Sequence, residues 1–433
     1  MAGAGKSRIA DQDNTGHMAA VRNHRLLVDS LITPKAASGN LPVAFGDSPS
    51  IDAFDRLRVS EPEGLFESTQ TYDKQTLLWN EALTAGGTAT FRVNESATRL
   101  AVTNNGDAAV RQTKDYFRYQ PGKSQLVFCT FNLLAGDPNV RKRVGYFEAQ
   151  NGIFLEEIDG ALWFVRRTYT SGAVVDNRIA QADWNLDAFS DLDPTKTQIL
   201  VIDMEWLGVG RVRVGFVIDG IIRYAHEFLN ANTLTVVYMT TAQLPVRYEI
   251  EATGAPAGVT NFDQICCSVI SEGGQEATVG FPFATGSIAM KSVGGARVPI
   301  ISIRPKTTFN GLTNRVQIIQ RQIETLFSGT NGLGYVDVIY NGTLTGAAFA
   351  SVDAQSVMEF DTAATVVTGG IVVRRFYANA TNQSSSAGEA FVLGRLPIAL
   401  DIAGTTPDRL TIAVSLISGT LNAAGGFNWQ EYR

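Results

Sequence analysis

Histidine is nearly absent: His17, His24 and His226 are the only three in 433 residues. No H-E-x-x-H zinc motif exists, and a Ser-His-Asp triad would have to rest on the single interior imidazole, His226. His226 therefore reads as a structural residue. Cysteine is equally scarce, with Cys129 and the adjacent pair Cys266-Cys267. No CxxC spacing occurs, so the three thiols read as small buried apolar groups in a reduced compartment. Charged residues make up only 18%, and the net charge of −6 gives the chain no electrostatic footprint for nucleic acid. No apolar run approaches the roughly 20 residues of a membrane helix, so no membrane insertion is expected. The opening MAGAGKSRIADQDN lacks the apolar core of a signal peptide, which implies synthesis in the cytoplasm with no export signal of its own.

Glycine is plentiful at 41 residues and hydrophobic content is 45%, a balance that favours short strands and many turns. The length calls for two or three domains. The clearest stretch runs from Ile199 to Phe228. Val212, Val214, Phe216 and Ile218 alternate with Arg211, Arg213 and Gly215, a period-two pattern that buries one face and wets the other. Asp219-Gly220 suits a type I′ turn, Ile221–Phe228 returns antiparallel, and Ile199–Trp206 precedes as a third strand. Upstream, Thr88–Val93, Thr98–Thr103, Gln125–Leu133, Arg141–Gln150, Ile153–Ile158 and Ala161–Thr168 repeat the pattern, with Asp159-Gly160 as a second hairpin turn.

These signals predict an all-β protein: an antiparallel jelly-roll-like β-sandwich over 51–295, a second, smaller β domain over 296–433, and an extended N-terminal arm over 1–50. Within the arm, His24–Ile32 suits a short helix. Beyond the Gly- and Ser-rich Gly280–Gly295, strands are expected at Arg297–Arg304, Val316–Leu326, Gly334–Tyr340, Ser356–Phe360, Val366–Tyr377, Phe391–Asp401 and Arg409–Ser415. The last seven residues carry Phe427, Trp429 and Tyr432, too aromatic for a solvated tail, and are expected to pack on the body or a partner.

Few groupings suggest chemistry. Gly5-Lys6-Ser7 and Gly122-Lys123-Ser124 lack the leading glycine and the strand-to-helix setting of a phosphate loop. The pairs Asp203/Glu205 and Glu249/Glu251 sit at i, i+2 on strands, about 6–7 Å apart, which is compatible with the carboxylate spacing of glycosidases. Solvent-facing sheet carboxylates paired with Arg211, Arg213 or Arg247 are the plainer account. Asp187, Asp191 and Asp193 lack the glycine and terminal glutamate of a calcium loop. Arg141-Lys142-Arg143, Arg166-Arg167 and Arg374-Arg375 read as partners for acidic neighbours at an interface, or as a solvated face. No catalytic residue, cofactor or metal is expected.

Ile51–Ser68, IDAFDRLRVSEPEGLFES, is denser in character than its surroundings. Asp52-Ala53-Phe54, Arg56-Leu57-Arg58-Val59-Ser60, Pro62 and Leu65-Phe66 resemble a DAFxRLRVSxPxxLF motif of virion-associated proteins of tailed bacteriophages. Tyr248–Gly274, with its EIEATG, QIC and VISEGG blocks, is similar to further blocks of that family. The likeness spans about residues 50–300, and the order of strands with Trp163, Trp184 and Trp206 also resembles concanavalin/laminin-G jelly rolls. The resemblance implies a structural, non-enzymatic component of the virion: neck, tail or baseplate element, or head decoration. Its partners would be further copies of itself and other phage structural proteins, and its candidate interface residues Phe54, Arg56, Arg58, Leu65, Phe66, Phe427 and Trp429. Two alternatives stay open. One is a module binding a host surface glycan through Trp163, Tyr169, Trp184 and Trp206; the other is a glycan depolymerase using the carboxylate pairs.

Overall fold

A computed structural model describes residues 8–10, 18–22, 25–29, 51–54, 57, 61–274, 280–381, 385–390 and 396–433. The chain divides into two compact units, Met1–Ser48 and Pro49–Arg433. In the first, strands β1 (Arg8–Ala10), β2 (Met18–Arg22) and β3 (Arg25–Asp29) form an antiparallel sheet in that order. The helix expected over His24–Ile32 gives way to β3 in its described part, because Arg25–Asp29 pairs residue for residue with β2.

The second unit is built of antiparallel sheets around two hydrophobic cores. Its N-terminal part comprises β4 (Glu63–Thr69), β5 (Trp79–Thr84), β6 (Thr88–Arg92), β7 (Ala97–Val102), β8 (Ala108–Thr113), β9 (Ser124–Asn132), β10 (Val140–Phe147), β11 (Gly152–Ile158), β12 (Ala161–Thr168), β13 (Val175–Ala180), β14 (Thr197–Met204), β15 (Val212–Ile218), β16 (Ile221–Phe228), β17 (Val246–Ala252) and β18 (Thr260–Glu272). Seven form one sheet in the order β13-β12-β11-β10-β17-β8-β5. The facing sheet runs β16-β15-β14-β9-β18-β7-β6, with β4 also paired to β18. Leu200, Ile202, Val212, Val214 and Phe216 of the second sheet meet Val144, Leu155, Phe164, Tyr248 and Ile250 of the first in one dry core. The aromatic pair Phe164–Trp184, at 4.5 Å between centroids, sits in that core. This is the jelly-roll-like sandwich that the alternation predicts. Asp219 and Gly220 have φ of 51° and 77°, as do Asp159 and Gly160 at 52° and 79°. These angles are those of a type I′ turn, whose twist matches the flanking strands.

One expectation fails at the centre of the sandwich. The second face of β15 is not wet: Arg213 is fully buried, and Gly215 is buried with it. A bulge between Val214 and Gly215 brings the Arg223 carbonyl against Gly215, where a Cβ would collide.

The C-terminal part comprises β19 (Phe281–Gly286), β20 (Lys291–Val293), β21 (Val298–Pro305), β22 (Thr308–Phe309), β23 (Leu312–Thr313), β24 (Gln317–Ser328), β25 (Gly332–Tyr340), β26 (Thr343–Thr345), β27 (Ala350–Ser351), β28 (Met358–Asp361), β29 (Val366–Thr368), β30 (Ile371–Ala380), β31 (Ser385–Ala390), β32 (Leu410–Ser418) and β33 (Leu421–Tyr432). Sheets β19-β33-β24-β31 and β27-β28-β21-β32-β25-β30 enclose a second core of Ile301, Ile303, Val336, Val338, Ile412, Phe427 and Trp429. The run expected as one strand over Val366–Tyr377 is two, broken at Gly369-Gly370, both with positive φ. Leu396–Asp401 is no strand: Ile398 and Leu400 are buried, and only an isolated bridge joins Leu400 to Pro407. Residues 391–395 of that expected strand lie outside the described residues.

Where the two cores meet, Lys114 reaches the Tyr340 hydroxyl at 3.1 Å and Asp408 at 3.2 Å. Tyr340 in turn donates to the Pro397 carbonyl, and Arg118 stacks over Tyr432 at 4.3 Å.

Candidate functional site: the anchor of Ile51–Leu57

The strand β14 alternates, so Leu200, Ile202 and Met204 face the core while Val201 and Asp203 occupy the opposite face. Asp203 is fully buried there. Its carboxylate accepts hydrogen bonds from Ser124 Oγ at 2.5 Å, Arg213 at 2.6 Å and the Tyr224 hydroxyl at 2.8 Å. The Arg213 guanidinium lies 4.3 Å from the Tyr224 ring centroid and donates onward to the Ile51 carbonyl at 2.6 Å. Arg211, two residues back on the same side, donates to the carbonyls of Ala53 at 3.2 Å and Asp52 at 3.3 Å. Asp52 closes a turn by accepting the Phe54 N–H at 2.9 Å, and Ile51 bridges to Leu57. This short segment is the cover that keeps the second face of β15 dry. A buried arginine satisfied by a carboxylate and a backbone carbonyl avoids the large penalty of an unpaired interior charge.

The candidate interface residues separate. Phe54 is half-buried in the anchored turn. Phe66 belongs to the sandwich core, its ring 5.1 Å from Phe117 and 6.1 Å from Trp79, and Leu65 packs partly buried against that core. Phe427 and Trp429 lie in the second core because β33 runs between β19 and β24. Phe66, Phe427 and Trp429 are thus interior side chains of this chain, with no surface left to offer an interface. The final residues pack on the body. Arg56 and Arg58 lie outside the described residues.

Most residues of the basic clusters find acidic partners within the chain, while Arg166 bonds Asn230. Register sets Arg143 on β10 directly opposite Glu156 on β11 and Glu249 on β17, and it bonds both at 2.8 Å. Arg178 bonds Glu156 at 2.6 Å, and Arg167 grips Asp176 with two bonds. Beneath this ladder lie buried Phe147, Phe154 and Val165, with Arg143 and Arg167 over Phe154. Burial alone would raise the Glu249 carboxyl, but Arg247 and Arg143 outweigh it and hold it at about 2. Glu156 is likewise held low against its burial by Arg178 and Arg143. A glycosidase needs one carboxylic acid protonated near neutral pH. Glu249 and Glu156 are poor proton donors.

Other candidate groups are similarly occupied. Burial depresses His226 to about 4, so it is neutral at pH 7; its Nδ1 accepts the Asn185 N–H. Asp187 is bonded to Arg223 and the Phe189 N–H, and among the described residues no three His, Cys, Asp or Glu gather as a metal site. Trp184 is buried, Trp206 packs partly buried with its indole N–H on the Met239 carbonyl, and Trp163 and Tyr169 are half-buried. Gly122 and Lys123 form the turn into β9, which Ser124 begins, and Lys123 donates to the Gly274 carbonyl; Gly5-Lys6-Ser7 lies outside the described residues. Sequence reasoning pairs Asp203 with the strand arginines but sets it facing solvent, whereas it is fully buried; Ser124 and Tyr224 it missed, because they come from other strands.

No family model matches the chain, and no curated protein does. Solved structures that align with it include a Bacillus licheniformis beta-glucanase, at 10% identity over 48% of this chain and 98% of that one, TM-score 0.33. A protein of unknown function from Shewanella oneidensis MR-1 aligns at 10% identity over 53% and 94%, TM-score 0.34. Arcelin-5, a lectin-like defence protein from Phaseolus vulgaris, aligns at 10% identity over 48% and 98%, TM-score 0.29. At such scores no argument about activity rests on these likenesses.

Proposed function

We propose that this chain is a structural component of a tailed-bacteriophage particle, acting by self-association and by docking to other virion proteins. The observation that carries the reading is the anchor. The motif through which the chain resembles virion proteins is the segment that Arg211 and Arg213 fasten by its backbone to the sandwich. The ionised, arginine-bound state of Glu156 and Glu249 weakens the depolymerase reading. The burial of Trp184 weakens the glycan-binding one.

The test is direct. Particles produced from the genome that encodes this chain are purified by density gradient and their proteins identified by mass spectrometry. The chain should co-purify with intact particles at a fixed copy number. Its presence only in the soluble host lysate overturns the proposal.

A further inference from the structure

The three cysteines are free thiols, and strand register brings two of them together. Cys129 on β9 lies directly opposite Cys267 on β18, and both side chains belong to the sandwich core. Cys266 alternates to the other face of the sheet, where its thiol donates to Thr130 Oγ1 at 3.1 Å.

The phase of the backbone hydrogen bonds decides how close the opposed pair comes. At the turn between β14 and β15, the Glu205 N–H donates to the Arg211 carbonyl at 3.0 Å, so these two form a hydrogen-bonded pair. From there the ladder runs without a bulge to Leu200 and Phe216, and bonded pairs alternate with unbonded ones. Leu200 and Phe216 are therefore not bonded to each other. Leu200 turns its N–H and C=O toward β9, where its partner is Cys129. Cys129 in turn bonds to β14 and aims neither backbone group at β18. Cys129 and Cys267 are thus a non-hydrogen-bonded pair. Such pairs hold their Cα atoms about 4.5 Å apart, with the side chains closer than in bonded pairs. A disulfide accepts Cα separations of about 4.4 to 6.8 Å.

We propose that Cys129 and Cys267 form a disulfide within the sandwich core when a small-molecule disulfide such as oxidised glutathione is available. One cysteine thiolate attacks the glutathione disulfide, forming a mixed disulfide and expelling one glutathione thiolate. The second cysteine thiolate attacks the protein sulfur of that mixed disulfide and expels the other. The two protons given up by the cysteines end on the two glutathione thiols, so the protein pair is oxidised and glutathione is reduced. The bond closes a loop that contains every strand from β10 to β17, and so restricts the unfolded chain strongly. In the folded chain burial pushes the Cys129 thiol up to about 12 and raises that of Cys267 as well. Thiolate is then scarce, and the link forms fastest while the sheet is assembling. The inference concerns two residues of one sheet and stands apart from the particle reading.

The test uses the full chain, unfolded in urea and refolded in a glutathione redox buffer, then alkylated, digested and mapped by mass spectrometry. One alkylated cysteine, Cys266, should remain, and the Cys129 peptide should be joined to the peptide holding Cys266 and Cys267. Cys266→Ser should keep the link, whereas Cys129→Ala and Cys267→Ala should each lose it. The linked protein should melt about 10 °C above its dithiothreitol-reduced form. Cys266→Ser should show the same gap and Cys267→Ala none. If refolding fails, the same mapping is made on chain synthesised in a bacterial cytoplasm that lacks disulfide reduction. Three alkylated cysteines in folded protein overturn the proposal. So does a link that survives in Cys267→Ala, which would run through Cys266, or a linked protein that melts no higher than the reduced one.

Discussion

Glu249→Gln tests whether the ladder on the seven-stranded sheet is a source of stability. The carboxylate is nearly buried, with Arg143 and Arg247 each within 2.8 Å. Its carboxyl stands at about 2 in place of 4.5. That gap corresponds to about 3 kcal/mol of preference for the ionised form in the folded state. Breaking a buried ion pair from one side costs a similar amount, about 3–5 kcal/mol. Here Arg143 keeps Glu156 and Arg247 keeps Gln112. The lower end, about 2–3 kcal/mol at pH 7, is therefore expected. Because the folded value is depressed, the contribution is fully present above pH 4.5 and is lost as pH falls toward 2. Wild type and variant should be compared by urea unfolding, followed through the fluorescence of buried Trp79 and Trp184, at pH 7, 4 and 2.5. Their difference should shrink steadily with acidification. A difference below about 1 kcal/mol at pH 7, or one that does not change with pH, would refute the argument.

At the junction of the two cores, burial first and then the nearby Asp408 push Asp115 up to about 7. A raised carboxyl opposes folding when ionised, so Asp115→Asn should stabilise at pH 8 and lose its advantage as pH falls through 7 toward 3.8. The full gap would be about 4 kcal/mol, but the residue is only half-buried, and screening trims the expected gain to about 1–2 kcal/mol. Thermal unfolding at pH 8 and pH 5 checks it, and a variant no more stable at pH 8 sinks the idea. Arg211→Ala removes two charged hydrogen bonds to the anchored segment, each worth about 1–2 kcal/mol. Amide exchange in a peptide spanning residues 50–57 should accelerate at least about tenfold while the core strands β14 and β15 keep their protection; unchanged exchange there would show that other contacts hold the segment.

What the sequence disclosed followed how local each determinant is. The Asp159-Gly160 and Asp219-Gly220 hairpins are legible because the turn angles are a property of two residues. The alternation of β15 is legible for its apolar face. The same strand misleads on its other face, because what covers Arg213 is the backbone of Ile51, 162 positions away along the chain. That the packed C-terminal end is a strand, β33, is hidden for a related reason. Its inward residues include Ala423, Gly425 and Glu431, so the apolar alternation is faint. Glu431 is buried with bonds from Ser356, the Val357 N–H, Trp429 and Arg433. Leu396–Asp401 shows the reverse error. Apolar content put it in a strand, whereas the structure buries Ile398 and Leu400 without a ladder.

The anchor solves a problem of register. Apolar packing alone tolerates slips in register. At the anchor, the direction of Arg213 is set by Asp203, which is itself fixed by Ser124 and Tyr224, so the guanidinium meets the Ile51 carbonyl in one place. The bond is to backbone, so it specifies position along the chain. Polar groups that add little net stability thus determine which of several apolar contacts forms.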